Sequence, residues 1–307
     1  MESSQSKSWY AFVFLLAGMT FFGSATPVSK LVGENFSPLV ASTIRMWLAG
    51  MVLLPFAFYH NPNFYKLPKA LWLRVLGVAL VGNIGFSVLM LYGMQMISGV
   101  AGSVIMSLTP AVTAIAAVIF LRESLHPRKI IALLIGVSGV LVIQIGTGKQ
   151  GLKMDSQTFI GSALVFAAIC CEAGYTLLGK KATEEISPLS LGCLAALLAG
   201  ALFIPLAIYD WSNMQWNKVQ MEDWAAVAWW GIGTMALGSV LWYSGVQKVP
   251  GHIAAGFMAI MPISALFLSY WLLDESFEWI HIPGFALALG GTGLMAWQHS
   301  QQMKKET

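Results

Sequence analysis

The stretch from Thr158 to Gly179 reads TFIGSALVFAAICCEAGYTLLG. Its 22 residues are nearly all apolar or small, and they include one carboxylate, Glu172. The hydrocarbon core of a bilayer, about 30 Å thick, is crossed by roughly 20 helical residues. A charged side chain inside such a helix costs about 2.5 to 3.5 kcal/mol on insertion scales, and it commonly marks a functional site. The stretch therefore predicts a membrane helix whose carboxyl group is protonated or faces a cavity or a partner.

The composition extends this prediction to the whole chain. Of its 307 residues, 57% are hydrophobic and 10% are charged, whereas soluble domains carry about 25% charged residues. We expect an all-α, multi-pass protein in a lipid bilayer. The net charge of +3, without a basic run, argues against nucleic acid as a partner. Cys170, Cys171 and Cys193 lie in apolar runs and are interpreted as buried small side chains, not as a disulfide framework.

Apolar runs bounded by polar, proline or charged residues predict ten membrane spans. The first is interpreted as an uncleaved span, because its apolar run is longer than the core of a secretory signal. The ten predicted spans cover residues 9–31, 38–59, 70–94, 99–120, 127–146, 158–179, 188–209, 223–246, 252–272 and 279–298.

Short sequence matches recur at a nearly fixed distance along the chain. Ser37-Pro38-Leu39 returns 150 residues later as Ser187-Pro188-Leu189. Farther on, the distance is 152 residues, as between Glu123-Ser124 and Glu275-Ser276. The chain is therefore predicted to contain two copies of a five-span unit. The predicted units cover residues 9–146 and 158–298, with short tails at 1–8 and 299–307.

Lysine and arginine are concentrated on one predicted side of the membrane. With the N-terminus in the cytoplasm, 12 of the 17 lie on the cytoplasmic side and 4 on the outer side, in agreement with the positive-inside rule. Because five is an odd number, the second unit is inverted relative to the first. Inverted repeats recur in secondary transporters, whose binding site lies between the repeats. We expect a monomeric inner-membrane protein with both tails in the cytoplasm.

Two segments resemble a known family. Ser107-Leu-Thr-Pro110 through Leu121-Arg-Glu123-Ser124, followed by Gly136 and Gly139, resembles the closing part of an EamA domain. Met261-Pro262 through Asp274-Glu275-Ser276, followed by Gly290-Gly291, looks like its second copy. The chain is identified as a ten-span member of the drug/metabolite transporter superfamily. The resemblance implies alternating access and a central cavity lined mainly by spans 1, 3, 4, 6, 8 and 9.

A shorter likeness concerns the carboxylate. The stretch from Ala168 to Lys180 is similar to the first span of the small multidrug resistance proteins. In those proteins a membrane glutamate binds protons and a cationic substrate in turn, which implies the same role for Glu172. They pair two copies of that glutamate, whereas the matching position in the first unit of this chain is Phe22. The predicted site is therefore one-sided.

Glu172 is the leading candidate for substrate or proton binding. Burial favours the neutral form of a carboxyl group, so its protonation can be linked to binding. A structural hydrogen bond between helices is the alternative. Tyr175 and Thr176 share its helix face. They are candidates for bonding the carboxyl group or the substrate, with packing as the alternative.

Two further polar side chains lie inside predicted spans. Arg45 is about 10 Å below the outer boundary, where it either snorkels to the interface or binds a substrate carboxylate. A direct pair with Glu172 is not expected, because the predicted depths differ. Asn83, near the centre of span three, either faces the cavity or bonds a neighbouring helix.

Aromatic residues and prolines complete the candidates. Trp242, Tyr243 and Tyr92 lie on predicted cavity-lining spans and either stack on a substrate or anchor the protein at the interface. Pro110 and Pro262 are predicted to bend spans four and nine, because proline leaves a backbone carbonyl without its donor.

No catalytic motif is complete. The stretch from Gly174 to Lys180 has GxxxxGK spacing, but Lys181 follows where a phosphate-binding loop needs Ser or Thr. We expect no enzyme, no cofactor and no metal. The predicted function is secondary transport, by a proton-coupled exporter of a small metabolite such as an amino acid or amine. An uncoupled facilitator remains an alternative, as does a channel or a membrane scaffold.

Overall fold

The computed structural model describes five long parts of the chain: residues 2–106, 108–121, 155–212, 214–248 and 260–274. It also describes residues 257–258, 277, 279–287, 289–291 and 294, and isolated positions at 131, 134, 135, 138 and 142. The described residues form helices joined by turns and short connections, and no strand occurs among them. Predicted span five, at 127–146, lies almost wholly outside them.

Twelve α-helices have described bounds. They are α1 (Glu2–Gly23), α2 (Ala25–Asn35), α3 (Pro38–His60), α4 (Lys69–Gly77), α5 (Phe86–Met94), α6 (Gly99–Met106), α7 (Thr109–Leu121), α8 (Ser156–Ala182), α9 (Pro188–Trp211), α10 (Met221–Trp229), α11 (Gly238–Val246) and α12 (Ile260–Leu272). A π-helical segment, Val78–Gly85, joins α4 to α5, and a second, Trp230–Leu237, joins α10 to α11. A short 3₁₀ turn covers Trp216–Lys218.

Within the described part of the chain, six helical stretches are long and apolar enough to cross a membrane. They are Tyr10–Gly33, Pro38–His60, Lys69–Met94, Ser156–Ala182, Pro188–Trp211 and Met221–Val246. They coincide with predicted spans one, two, three, six, seven and eight. Predicted span four is occupied by α6 and α7, and predicted span nine contains α12. The chain is therefore an all-helical, multi-pass membrane protein.

The repeated Ser-Pro-Leu sequence starts the same helix in each unit. Ser37 and Ser187 are N-cap residues whose hydroxyl groups accept hydrogen bonds from backbone N–H groups of the first turn. Pro38 and Pro188 follow directly. Proline is tolerated there because the first N–H groups of a helix have no partner within the helix. The match in sequence thus corresponds to a match in local structure.

Glycines mark the crossing of α3 and α9. A side-chain carbon added to Gly50 would contact Leu197, and one added to Gly200 would contact Trp47. Gly50 and Gly200 are 150 residues apart, and so are Trp47 and Leu197. Each unit therefore presents a glycine to a large side chain of the other.

The same exchange occurs at a second pair of crossings. Gly93 in α5 lies against Val165 in α8, and Gly245 in α11 lies against Leu15 in α1. Val165 follows Leu15 by 150 residues, and Gly245 follows Gly93 by 152. These contacts thus pair equivalent positions of the two predicted units.

Polar and aromatic contacts join the units at one end of the bundle. Asn35 Nδ2 donates to both carboxylate oxygens of Asp223, each at 3.1 Å. Phe36 is 2% exposed, and its ring packs edge-on against Trp224 with a centroid separation of 5.1 Å. The end of α2 and the residue that follows it are thereby held against the first turn of α10.

Candidate functional site

A cavity lies inside the bundle and is lined by residues of both units. Its volume is about 450 Å³, part of which is open to the outside. Its lining residues are Phe22, Ala25, Arg45, Gly82, Asn83, Phe86, Glu172, Tyr175, Thr234, Met235, Ser239 and Met261. Four predicted site residues are brought together here: Glu172, Tyr175, Asn83 and Arg45.

Glu172 extends from α8 into this cavity with 8% of its surface exposed. Its Oε2 atom has no hydrogen-bond partner among the described residues. Thr109, in the first turn of α7, lies beside the carboxyl group, and its hydroxyl oxygen is also unpaired there. A buried carboxylate without a partner is unfavourable. The group is therefore open to a proton or a ligand.

Arg45 does not reach the membrane interface. It is 2% exposed, and its guanidinium carbon lies 3.8 Å from the centroid of the Trp230 ring. Its Nη2 donates to the hydroxyl oxygen of Ser87, which in turn donates to the backbone carbonyl of Asn83. The anchoring alternative for Arg45 is therefore wrong, because α3 turns this side chain toward the second π-helical segment.

Asn83 lies in the first π-helical segment and is 2% exposed. Its side-chain nitrogen has no partner among the described residues, so the alternative of a helix-to-helix hydrogen bond from this nitrogen is not observed. The position 152 residues later is Met235, in the second π-helical segment, and it also lines the cavity. Equivalent positions of the two units thus place an amide side chain and a thioether side chain in the cavity. Such π-helical turns occur frequently at functional sites.

Tyr175 joins α8 to α11 across the cavity wall. Its hydroxyl donates to Ser239 Oγ at 2.7 Å, and the Tyr243 hydroxyl donates to its backbone carbonyl at 2.9 Å. Its ring meets the Phe22 ring edge-on, with centroids 6.4 Å apart. Phe22, predicted to occupy the place of a second carboxylate, therefore lies in the same cavity.

Three predicted site residues lie outside the described lining: Thr176, Tyr92 and Trp242. Trp242 is 1% exposed and Tyr243 is fully buried, so the anchoring alternative is wrong for both. The reason is that α11 packs inside the bundle, where a side-chain carbon on Gly18 would lie 2.9 Å from the backbone nitrogen of Trp242. A binding role for Thr176, Tyr92 or Trp242 stays a prediction.

Both predicted bend prolines lie at helix starts. The α7 helix begins one residue before Pro110, and α12 begins two residues before Pro262. Ahead of α7, the backbone N–H of Leu108 bonds the carbonyl of Ile105 in a turn that separates α6 from α7. That these positions shape or flex the cavity stays a prediction.

Sequence reasoning missed several residues that hold the site. Ser87 and Trp230 position the guanidinium of Arg45, and Ser239 holds the hydroxyl of Tyr175. One signal could have found the serines, because Ser87 and Ser239 are 152 residues apart. Trp230 matches Val78 at this distance, so the repeat gives no signal for it.

The fold and the site together define a class. A bundle of membrane-crossing helices that encloses a cavity with buried polar groups is the construction of a membrane transport protein. Within the described residues, no group of three or more His, Cys, Asp or Glu side chains is placed to hold a metal ion.

The family follows from sequence comparison. The EamA-like transporter family matches the chain twice, over residues 9–145 and 159–297. The chain belongs to this family, within the drug/metabolite transporter superfamily, and its function is transport.

Similar proteins are named as transporters. An uncharacterized transporter of Bacillus subtilis (strain 168), YetK, is 32% identical over 286 residues, which are 93% of this chain and 86% of that protein. The S-adenosylmethionine/S-adenosylhomocysteine transporter of Chlamydia trachomatis serovar L2 is 26% identical over 288 residues, covering 91% of this chain and 85% of the relative. A solved crystal structure, 15% identical, matches with a TM-score of 0.68 over 97% of this chain and 99% of that chain. The last likeness concerns the fold alone.

Proposed function

We propose that the chain is a secondary transporter with ten spans in two inverted five-span repeats, residues 9–146 and 158–298. The exchanged glycine contacts support a two-fold relation between the repeats. An odd number of predicted spans per repeat supports their opposite orientation. Rocking of one repeat against the other then opens the cavity to each side of the membrane in turn.

The observation that carries the mechanism is the buried, unpaired carboxyl oxygen of Glu172. In a site of low polarity, a carboxyl group without a cation beside it favours its protonated form. Substrate that enters from the cytoplasm displaces this proton to the cytoplasm. After the repeats rock, a proton from outside displaces the substrate. Protons thus move inward while the substrate moves outward.

The proposed substrate is a small metabolite of the amino acid or amine type. The chlamydial relative named for S-adenosylmethionine supports this class, since that compound carries an amino acid group. The lysine and arginine distribution supports an inner-membrane location with both tails in the cytoplasm.

The substitution Glu172→Gln tests the coupling. In inverted membrane vesicles with an acidic lumen, the parent should accumulate components of a labelled amino acid mixture. The amide introduced by the substitution cannot release a proton, so we expect gradient-driven uptake to disappear while counterflow exchange at saturating substrate persists. Glu222→Gln is the matched control, because this exposed carboxylate lies at the start of α10. A Glu172→Gln protein that responds to the gradient like the parent would disprove the coupling.

The same assay separates the alternatives. A coupled carrier shows both exchange and a response to the proton gradient. An uncoupled facilitator exchanges substrate but ignores the gradient. A channel lacks stimulation by substrate on the opposite side, and a scaffold moves no solute.

A further inference from the structure

Three buried polar atoms belong to residues that line the cavity, and they have no hydrogen-bond partner among the described residues. They are Arg45 Nε, Asn83 Nδ2 and Glu172 Oε2. Buried polar groups in folded proteins are nearly always hydrogen-bonded, and an unpaired one is costly. Three of them in one cavity indicate a ligand that completes their bonding.

Arg45 is the stronger of the two donors, because a guanidinium group stays charged at physiological pH. No ion pair neutralises it in the described part of the chain, where the recorded pair is Arg74 with Glu185. The Trp230 ring covers one face of the guanidinium group, and Ser87 accepts from Nη2. The group is thus held in a fixed plane with Nε still unpaired.

The donors and the acceptor come from different elements. Ser87 connects the donors, since it accepts from Arg45 and donates to the carbonyl of Asn83. Glu172 approaches from α8. Tyr175, one turn further along α8, lines the same cavity as Arg45 and Glu172. The cavity therefore offers a cationic donor region and a separate carboxyl group.

We infer that Arg45 and Asn83 bind the carboxylate of the substrate, that Glu172 binds its ammonium group, and that the substrate is a zwitterionic amino acid. A carboxylate matches the planar donor fork of arginine. The inference rests on the proposed function of this cavity as the transport site. Five of the other lining residues are apolar and favour an apolar substrate side chain: Phe22, Ala25, Phe86, Met235 and Met261.

Three ligands with the same carbon skeleton test this assignment. L-norleucine carries both charges, its methyl ester lacks the carboxylate, and hexanoate lacks the ammonium group. Binding to the purified full-length protein is measured by calorimetric titration and by stabilisation against thermal unfolding. Because hydrogen bonds to charged groups are strong, we expect norleucine to bind about tenfold or more tightly than either analogue. L-methionine and L-phenylalanine, with their methyl esters, extend the test to other apolar side chains.

Substitutions connect each ligand group to its residue. Arg45→Gln should weaken norleucine binding to the level of the ester while leaving ester binding unchanged. Glu172→Gln should abolish the preference for norleucine over hexanoate. Arg45→Lys keeps the charge but loses the planar fork, so its affinity for norleucine should lie between those of the parent and Arg45→Gln. Arg45→Lys replaces Arg45→Gln in the test if the latter fails to fold. Arg74→Gln, outside the cavity, is the matched arginine control.

Two results would overturn the inference. Equal losses of norleucine and ester binding in Arg45→Gln or Arg45→Lys would indicate general damage to the cavity, not loss of a carboxylate partner. Absence of binding by all three amino acids would exclude the proposed substrate class. Gradient-driven transport of other solutes that still depends on Glu172 would then leave the proposed coupling intact.

Discussion

At Gly82, the absence of a side chain allows Tyr175 to pack directly against the backbone and form part of the cavity wall. A side-chain carbon there would lie 2.6 Å from Tyr175 Cβ, closer than real contacts allow. Gly82→Ala should therefore displace the Tyr175 ring and cost about 1 to 3 kcal/mol of stability through overpacking. We expect transport in vesicles to be largely lost while the protein still folds, since alanine itself favours the helix.

Gly290→Ala is the control for this substitution. No atom of the described residues lies within 4 Å of the position that its side-chain carbon would occupy, so transport and thermal stability should match the parent. If Gly82→Ala also transports at the parental rate, the Tyr175 ring does not set the shape of the site.

Single residues were predictable where their chemistry conflicted with their surroundings. Glu172 could be found because it is a carboxylate in an apolar run. The burial of Arg45 could not, because depth along a helix does not determine the direction of a side chain around its axis. The burial of Trp242 could not be predicted for the same reason, since its helix is surrounded by others.

Among the elements, the link between α2 and α10 offers a direct measurement. Asn35 donates to both oxygens of the buried Asp223 carboxylate, which also accepts from the backbone N–H of Gln220 at 2.8 Å. A double-mutant cycle with Asn35→Ala and Asp223→Ala should give a coupling energy of about 1.5 to 3 kcal/mol. Chemical unfolding in detergent measures it.

The cycle includes its own control, because Asp223→Ala also removes the helix cap while Asn35→Ala does not. Subtracting the changes in unfolding free energy of the two single variants from that of the double variant isolates the contact between the units. A coupling energy near zero would mean that this end of the bundle is held by the aromatic packing of Phe36 instead.

The helices themselves could largely be predicted, because a membrane span requires a long apolar run and a serine-proline start is a local signal. The π-helical segments could not. They change the hydrogen-bonding pattern of a helix without changing its composition, and Val78–Gly85 reads like any apolar helix. At Pro110 a bend within one span was predicted, whereas α7 begins one residue before it, after the turn at Leu108.

Across the whole molecule, the proposed two-fold relation predicts equal losses of stability at equivalent positions. Gly93→Ala would place a carbon 2.7 Å from Val165, and Gly245→Ala would place one 2.7 Å from Leu15. Each should lower the free energy of unfolding by a similar amount, about 1 to 3 kcal/mol. Chemical unfolding in detergent checks the values against the parent.

A second substitution that shortens the crowded neighbouring side chain is the control for this prediction. Leu15→Ala should recover part of the stability lost in Gly245→Ala. Val165→Ala should recover less of the loss in Gly93→Ala, because the added carbon would still lie 2.9 Å from the carbonyl oxygen of Gly161. A large cost at one glycine and none at the other would show that the two crossings are not equivalent.

The exchanged glycine contacts also bear on how the protein is made. During translation the first unit emerges with its glycine faces exposed to lipid, and their partner side chains have not yet been synthesised. In the proposed inverted arrangement, these faces are covered once the second unit has been inserted. The partners of Gly50 and Gly93 are Leu197 in α9 and Val165 in α8, so these contacts of the first unit are completed only after both helices have been inserted.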